Sequence, residues 1–444
     1  MPEATSAIAS RPQLVRAIGR WSLVALTVNC VIGSGVFGLP SELARLIGGA
    51  SVLAVVLAAA VVGVVMACFA EVSSQFTETG GPYLYVRAAF GRLMGIEVGW
   101  LIWVVRIASC AANANLFVIY LAEFWPRATQ PISKFVILTL LVGILAAVNY
   151  RGARMGAQIS NAFTVAKLLP LVLVCAAGAF YLLATRHAIP VLTVSASTKD
   201  WSRAILLLIF AYGGFEAALI SGGEAKDPRR DMVFALFSTL VICAIIYSLI
   251  QWVVVGVLPD PAHSARPLAD VARVILGHSG AVVVALGALV SVYGYLGANI
   301  LATPRFTFAL AERGDFPSWF AAVHPRFRTP YFSILLFVVA VWLLAMFGSF
   351  AGNATLSAGA RLFSYALVCA SVPVLRKKQP AAATFRLSAG PLFAVLGVLI
   401  CIGLLFGIDF NKSLLLVGTV VVGLVNWLVV RNRNTTAASR AAVL

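Results

Sequence analysis

The sequence predicts an all-α membrane protein with about 12 transmembrane helices, two of which are interrupted part-way along. Three observations predict this class: an apolar composition, apolar segments of spanning length, and glycine-rich breaks within two of those segments. Of the 444 residues, 61% are hydrophobic and 11% are charged, and the mean hydropathy is +0.97. Such a chain is far too apolar to be a soluble globular protein of this length.

The apolar segments place the helices along the chain. A bilayer span needs about 20 apolar residues. We therefore expect spans near residues 21–41, 50–76, 92–124, 133–149, 157–183, 203–221, 233–257, 278–310, 332–349, 353–375, 390–408 and 412–430.

The basic residues predict the orientation of these spans. The net charge is +17, and 21 Lys and Arg residues fall on the N-terminal side of the predicted spans against nine on the opposite side. By the positive-inside rule, both termini are expected in the cytoplasm, with the chain in the cell membrane. We expect the basic loops to meet anionic lipid headgroups rather than nucleic acid. Three further basic residues, Arg106, Lys167 and Arg361, fall within predicted spans.

Two spans contain breaks in comparable places. The first holds three glycines and a proline in residues 33–40, GSGVFGLP, and the sixth holds residues 210–216, FAYGGFE. Backbone groups freed by a break find no water in hydrocarbon, so a break persists only where it faces protein or a solvated cavity. Paired breaks in corresponding halves indicate the binding site of a secondary transporter. The alternative is that the glycines only permit close packing of helices.

Internal symmetry predicts the domain organisation. Three pairs of spans match at an offset of about 180 residues, as two five-span repeats would. Spans 1 and 6 are both interrupted, spans 2 and 7 are both long and uninterrupted, and spans 3 and 8 both have roughly thirty residues. An odd number of spans per repeat inverts the second copy. We expect a cytoplasmic segment 1–20, a first inverted repeat 21–183, a second inverted repeat 203–375, two appended spans within 390–430 and a cytoplasmic tail 431–444.

The two breaks together offer the chemistry that binds an amino acid backbone. A restarted helix exposes N–H groups and the positive end of a dipole, which suit a carboxylate. The ends of the preceding half-helices expose carbonyls, which suit an ammonium. Glycine lets a ligand approach the main chain closely. The predicted substrate-binding residues are Val31, Ile32, Gly33, Ser34, Gly35, Phe210, Ala211, Gly213 and Gly214.

Several ordered motifs resemble the amino acid-polyamine-organocation (APC) superfamily of transporters. The resemblance covers roughly residues 18–376 and implies a permease with 12 spans and a five-plus-five inverted-repeat, LeuT-like fold. The motifs are 32–40 IGSGVFGLP, 70–71 AE with 78–83 ETGGPY, 89–91 AFG, 210–216 FAYGGFE, 224–230 EAKDPRR, 303–305 TPR and 311–317 AERGDFP.

The resemblance also implies roles for individual residues. Ser34 and Gly35 would donate backbone N–H groups to the substrate carboxylate, and Ser34 also its hydroxyl. Val31, Phe210 and Gly213 would offer carbonyls to the amine. Phe210 occupies the position of an aromatic gate that covers the substrate, although some members carry tryptophan there. The alternative for Phe210 is an ordinary packing ring.

Lys167 lies in the fifth span, within 161–170 NAFTVAKLLP. The resemblance implies that its ammonium takes the place of the sodium ion of sodium-coupled relatives, so transport would be sodium-independent and either proton-coupled or exchanging. Burial lowers the pKa of a lysine, so Lys167 could release a proton during transport. The alternative is a permanently charged brace.

Glu216 follows the second break and is expected to be a protonatable latch or, alternatively, a polar packing residue. Arg106 and Arg361 are expected either to serve the pathway or to pair and snorkel structurally. A few polar residues of the third and eighth spans could line the cavity: Asn113, Asn115, Tyr293, Tyr295 and Asn299.

Other classes of function fit less well. The seven cysteines lie in apolar segments without a Cys-x-x-Cys pair, and the four histidines lie in loops or at span ends. We therefore expect no catalytic residues, no metal and no cofactor. A channel would need a continuous polar lining along its pore. The second hypothesis for the function is an antiporter of cationic amino acids or polyamines. The alternative from another functional class is a non-transporting amino acid sensor. The oligomeric state is left open.

Overall fold

The computed structural model describes residues 18–76, 78, 80–151, 157–185, 196–220, 225–380 and 383–441, without the side chains of 157–167 and 432–441. This part of the chain is helical, with one isolated β-bridge between Ile18 and Ala225. The helices are α1 (Arg20–Val31), α2 (Gly35–Ile47), α3 (Ser51–Ser73), α4 (Gly81–Phe90), α5 (Arg92–Leu121), α6 (Pro131–Tyr150), α7 (Ala157–Ala184), α8 (Thr198–Tyr212), α9 (Phe215–Ile220), α10 (Pro228–Val257), α11 (Pro267–Glu312), α12 (Tyr331–Phe347), α13 (Phe350–Lys378), α14 (Gly390–Leu405) and α15 (Phe410–Ala441).

Both predicted breaks are present. The first predicted span consists of α1 and α2, separated at residues 32–34, and the sixth consists of α8 and α9, separated at Gly213 and Gly214. The other ten predicted segments each contain one helix. Two details differ from the sequence-based prediction. Residues 81–90 form the short helix α4 after the second span, and α11 begins eleven residues before the predicted start at 278, with a sharp bend at Gly277 (φ 71°).

Multiple helices are long and apolar enough to cross a membrane. Among the described residues there are eight such segments: Gly35–Ser73, Arg92–Leu121, Pro131–Tyr150, Thr198–Ile220, Pro228–Val257, Pro267–Glu312, Phe350–Lys378 and Phe410–Arg431. Three shorter apolar helices accompany them, Leu168–Ala184, Tyr331–Phe347 and Gly390–Leu405. The chain is therefore an all-α, multi-pass membrane protein.

The interrupted helices lie inside the bundle, because other helices pack around them. Helix α1 packs against α10, α8 packs against α3, and α2 packs against α8. Helices α5, α11 and α13 complete the surroundings: α5 packs against both α11 and α13, and α7 packs against α11. The broken backbone is thus covered by protein, as hydrocarbon requires.

Asp315, just beyond α11, connects helices at one end of the bundle. Its carboxylate is fully buried and pairs with Arg87 and with Arg92. Tyr83 also donates its hydroxyl proton to the carboxylate, and the Asn426 amide donates to the Asp315 carbonyl at 2.8 Å. One acidic residue therefore links α4, α5 and α15 to the end of α11.

We predict that Asp315→Ala destabilises the protein by about 3–5 kcal/mol, because it leaves two arginines without their buried counter-charge. Thermal unfolding of the detergent-purified protein measures the effect. The matched control is Asp409→Ala, which removes an exposed carboxylate that also pairs with two basic residues, Arg203 and Lys412. Its expected cost is within about 1 kcal/mol. Equal melting temperatures for the two variants would contradict this structural role.

Candidate functional site

The first break leaves polar groups unpaired at the start of α2. Ile32 leaves the helical conformation (φ −71°, ψ 98°), and Ser34 occupies the N-cap position without a side-chain cap. The first N–H groups of a helix have no carbonyl partner within that helix. The Ser34 hydroxyl is buried, and no partner for it occurs among the described residues. This buried donor group beside free amides is the arrangement expected where a carboxylate binds.

The second break is a two-glycine bend. Gly213 is extended (φ −72°, ψ 159°), and Gly214 has φ 118°, a conformation that favours glycine. The Gly214 N–H donates to Glu216 Oε2 at 2.8 Å. The bend ends α8 and restarts the chain as α9, with Glu216 in its first turn.

The two breaks touch each other through their backbones. A Cβ atom on Gly214 would overlap the carbonyl oxygen of Cys30 at the end of α1. A Cβ atom on Gly35 would lie 3.0 Å from Cα of Ala211. Glycine is therefore required at Gly214, and Gly35 packs tightly against Ala211, so the predicted substrate-binding segments are brought together in space.

Tyr247 of α10 connects the two broken helices. Its hydroxyl lies 3.3 Å from the carbonyl oxygen of Val31 and 3.0 Å from that of Ala211. Its one hydroxyl proton is shared between the carbonyl oxygens of these two predicted binding residues. Tyr247 was not predicted as a site residue from the sequence. The available signal was a tyrosine in the middle of an apolar span, since a buried hydroxyl needs a partner.

Glu216 and Arg361 form a buried ion pair beside the second break. Arg361 Nε lies 3.0 Å from Glu216 Oε1, and the Tyr365 hydroxyl donates to Glu216 Oε2 at 3.1 Å. Arg361 also donates to the Ser357 hydroxyl at 3.0 Å, which lies 2.7 Å from the Ser109 hydroxyl on α5. Of the alternatives for Arg361, structural pairing is the one seen. Tyr365, Ser357 and Ser109 were not predicted.

Phe210 lies at the end of α8 with its ring buried. The ring packs edge-on against Phe350, with 6.3 Å between centroids, and the guanidinium of Arg361 lies 5.8 Å from its centroid. A Cβ atom on Gly213 would come within 2.6 Å of Arg361 Nε. The Phe210 ring therefore lies beside Arg361, the basic member of the ion pair. A gating role for this ring stays a prediction.

The remaining predicted lining residues lie in three kinds of surroundings. Tyr295 lies against the first break, since its ring is 3.9 Å from the Cβ position of Gly33, and Asn299 contacts Arg106. Asn113 and Asn115 donate their amides to carbonyls one turn earlier in α5, so they brace their own helix. Tyr293 is only partly buried among apolar neighbours.

Two further features bear on the site. A cavity next to Gly35 has about 20 Å³ of space for the centres of water molecules, lined on one side by Tyr247 and Gln251. That is room for about one water. The side chain of Lys167, the predicted substitute for sodium, lies outside the described residues; its backbone belongs to α7. Among the described residues, no cluster of three His, Cys, Asp or Glu side chains could hold a metal ion.

Comparison with known proteins identifies the family of the chain. Residues 18–425 match the family model described as amino acid permease. An uncharacterised transporter of Mycobacterium tuberculosis is 30% identical, with 90% of this chain and 88% of the relative aligned. The methylthioribose transporter of Bacillus subtilis is 26% identical over 91% of each chain. The serine/threonine exchanger SteT of Bacillus subtilis is 29% identical over 75% of this chain and 77% of its own.

We predict that Gly35→Leu abolishes amino acid binding while the protein stays folded. The side chain would press on Ala211 and cover the amides of the first break. Loss of two charge-assisted hydrogen bonds lowers affinity more than about 100-fold. Equilibrium binding of a labelled amino acid panel to purified protein checks this.

The matched control is Gly143→Leu, the same substitution at a glycine of α6 whose Cβ position has no neighbour within 4 Å. We expect unchanged affinity there. Unchanged affinity in a monodisperse Gly35→Leu protein would exclude this segment as the binding site.

Proposed function

Because this chain belongs to the amino acid permease family of the APC superfamily, we propose that it is a secondary active transporter that moves amino acids across the cell membrane by alternating access. Transport is sodium-independent and is driven by protons or by exchange. The observation that carries the proposal is the backbone contact between two interrupted helices, because N–H groups that would suit a carboxylate and carbonyls that would suit an ammonium then lie in one buried location.

The helix packing supports a five-plus-five inverted repeat with 12 spans. If α1 with α2 and α8 with α9 are equivalent first spans of two repeats, α3 corresponds to α10. The contact of α1 with α10 then has its counterpart in that of α8 with α3. Likewise, α5 corresponds to α11 and α7 to α13, so the contact of α5 with α13 has its counterpart in that of α11 with α7. A contact pattern that survives exchange of the halves is what internal repeats produce.

The first break supports recognition of the substrate through its main chain. The amides of Ser34 and Gly35 and the unpartnered Ser34 hydroxyl would hold the α-carboxylate. The carbonyls of Val31, Phe210 and Gly213 would hold the α-ammonium, with one Val31 lone pair already engaged by Tyr247. The main chain supplies both sets of groups, so binding of the amino acid backbone does not depend on the substrate's side chain.

Lys167 and Glu216 are the proposed coupling residues. An ammonium from α7 that donates to carbonyls at the first break would take the place of sodium. Helix α7 packs against α11, and Tyr295 of α11 faces Gly33 at that break. Glu216 already accepts bonds from Arg361, Tyr365 and the backbone. Protonation of Glu216 would therefore have to open its ion pair with Arg361, which would link a proton to movement of α9 against α13.

The alternative function, an antiporter of cationic amino acids or polyamines, loses the main observation that supported it. That alternative relied on Glu216 to read an additional ammonium, but Glu216 is neutralised by Arg361 at 3.0 Å. We propose the cell membrane as the location, with both termini cytoplasmic, because basic residues are concentrated on that side of the predicted spans.

Uptake into proteoliposomes tests the proposed function. We expect accumulation of at least one labelled amino acid without sodium, stimulated by an inward proton gradient or by internal amino acid. Liposomes that contain Gly35→Leu provide the inactive control. Absence of uptake for every amino acid in both modes would refute the proposal, and uptake that requires sodium would refute its coupling.

We predict that Lys167→Ala abolishes sodium-free uptake at any pH, because carbonyl groups lose their cationic partner in a low-dielectric site. Lys167→Arg keeps the charge but cannot release a proton. If Lys167→Arg retains exchange and loses pH-driven accumulation, Lys167 titrates during transport. If it retains both, Lys167 is a fixed brace. Full activity of Lys167→Ala would contradict both roles.

A further inference from the structure

We propose that the transported amino acid carries a second carboxylate, which Arg106 binds; this inference names the substrate class of the site and so rests on the proposed function. Arg106 lies in the middle of α5 and is only 9% exposed. Cationic side chains at this depth are costly unless they pair or serve a pathway.

Arg106 has more N–H donors than the described residues offer it side-chain acceptors. A guanidinium carries five N–H donors, yet the one side-chain acceptor found for Arg106 in the described part of the chain is Asn299 Oδ1, at 3.4 Å. Charge-assisted bonds are usually about 2.7–2.9 Å long. Asn299 is itself oriented by its amide, which donates to the Tyr295 carbonyl at 3.0 Å. No carboxylate within the described ranges pairs with Arg106, whereas Arg361 has Glu216.

Arg106 is connected to both breaks through neighbouring residues. Tyr295 faces Gly33 of the first break, and Asn299, which contacts Arg106, is one helical turn further along α11. On α5, Ser109 lies about one turn from Arg106, and its hydroxyl contacts Ser357 and Arg361 beside the second break. One helical turn is about 5.4 Å, which is within the reach of a substrate side chain.

The charges of the described residues at the site do not balance. Among the described side chains, Glu216 and Arg361 cancel and Arg106 leaves one positive charge; the Lys167 ammonium proposed for the first break would increase this excess. The helix ends also cancel, since each break joins one C-terminal end to one N-terminal end. A zwitterionic substrate leaves the excess in place and a cationic substrate increases it. A substrate with a side-chain carboxylate offsets the charge of Arg106, and the guanidinium can bind that carboxylate with two parallel hydrogen bonds.

Counterflow into proteoliposomes that contain the parent protein tests the substrate class. The probes are pairs of nearly equal shape, L-aspartate with L-asparagine and L-glutamate with L-glutamine, together with L-serine and L-lysine. We expect uptake of the acidic member of a pair to exceed that of its amide by about tenfold or more, the size of one charge-assisted hydrogen bond, and no uptake of lysine.

Substitution of Arg106 tests whether this residue binds the second carboxylate of the substrate. Arg106→Gln should lower acidic uptake by about 10- to 100-fold and change amide uptake by less than about threefold, while Arg106→Lys retains part of the acidic preference. Arg305→Gln is the matched control. It removes the same charge from an exposed position on α11, where Arg305 donates to Asn149, and should leave the preference unchanged.

Each outcome is decisive. A parent protein that carries serine, asparagine or glutamine better than the acidic members overturns the inference and leaves the proposed function standing. Equal loss for acids and amides in Arg106→Gln shows that Arg106 only braces α11, which also overturns it. If Arg106→Gln is not monodisperse, the preference of Arg106→Lys and of the parent decides. Failure to carry any amino acid removes the proposed function itself.

Discussion

The crossing of two interrupted helices at Gly214 and Cys30 is the contact on which the rest of the structure depends. Only glycine allows the second break to touch the carbonyl end of α1, and only a break covered by protein can persist in hydrocarbon. The crossing brings the amides at the start of α2 next to the carbonyl groups at the ends of α1 and α8. The site is thus a consequence of backbone geometry before any side chain contributes.

The side chains around the crossing hold it in place and set its charge. Tyr247 ties the ends of α1 and α8 together, and Glu216 ties α9 to Arg361 of α13. Because a buried charge without a partner is strongly unfavourable, the pairing of Glu216 with Arg361 limits what either residue can do for a substrate. Arg106 has no such pairing among the described residues, which is why it, rather than Glu216, determines the proposed substrate class.

Much of the fold could be predicted from the sequence, because apolar length and glycine-rich breaks are local signals. The breaks at Gly33–Gly35 and at Gly213 and Gly214, and the helices around them, were predicted from such signals. The partners of Arg361 and the role of Tyr247 could not be, since they depend on which helix faces are opposed in three dimensions. The short helix α4 was missed because glycine and proline open it, and both residues also signal a loop. The family assignment is confirmed, whereas the roles of Phe210 and Lys167 stay predictions.

An experimental structure of the purified protein with its transported amino acid bound is the most direct test of the central claim. We predict the substrate α-carboxylate within about 2.7–3.2 Å of the backbone nitrogens of Ser34 and Gly35, and the α-ammonium against carbonyl oxygens of Val31, Phe210 or Gly213. Substrate density elsewhere in the bundle, with the two breaks in contact only with protein, would contradict it.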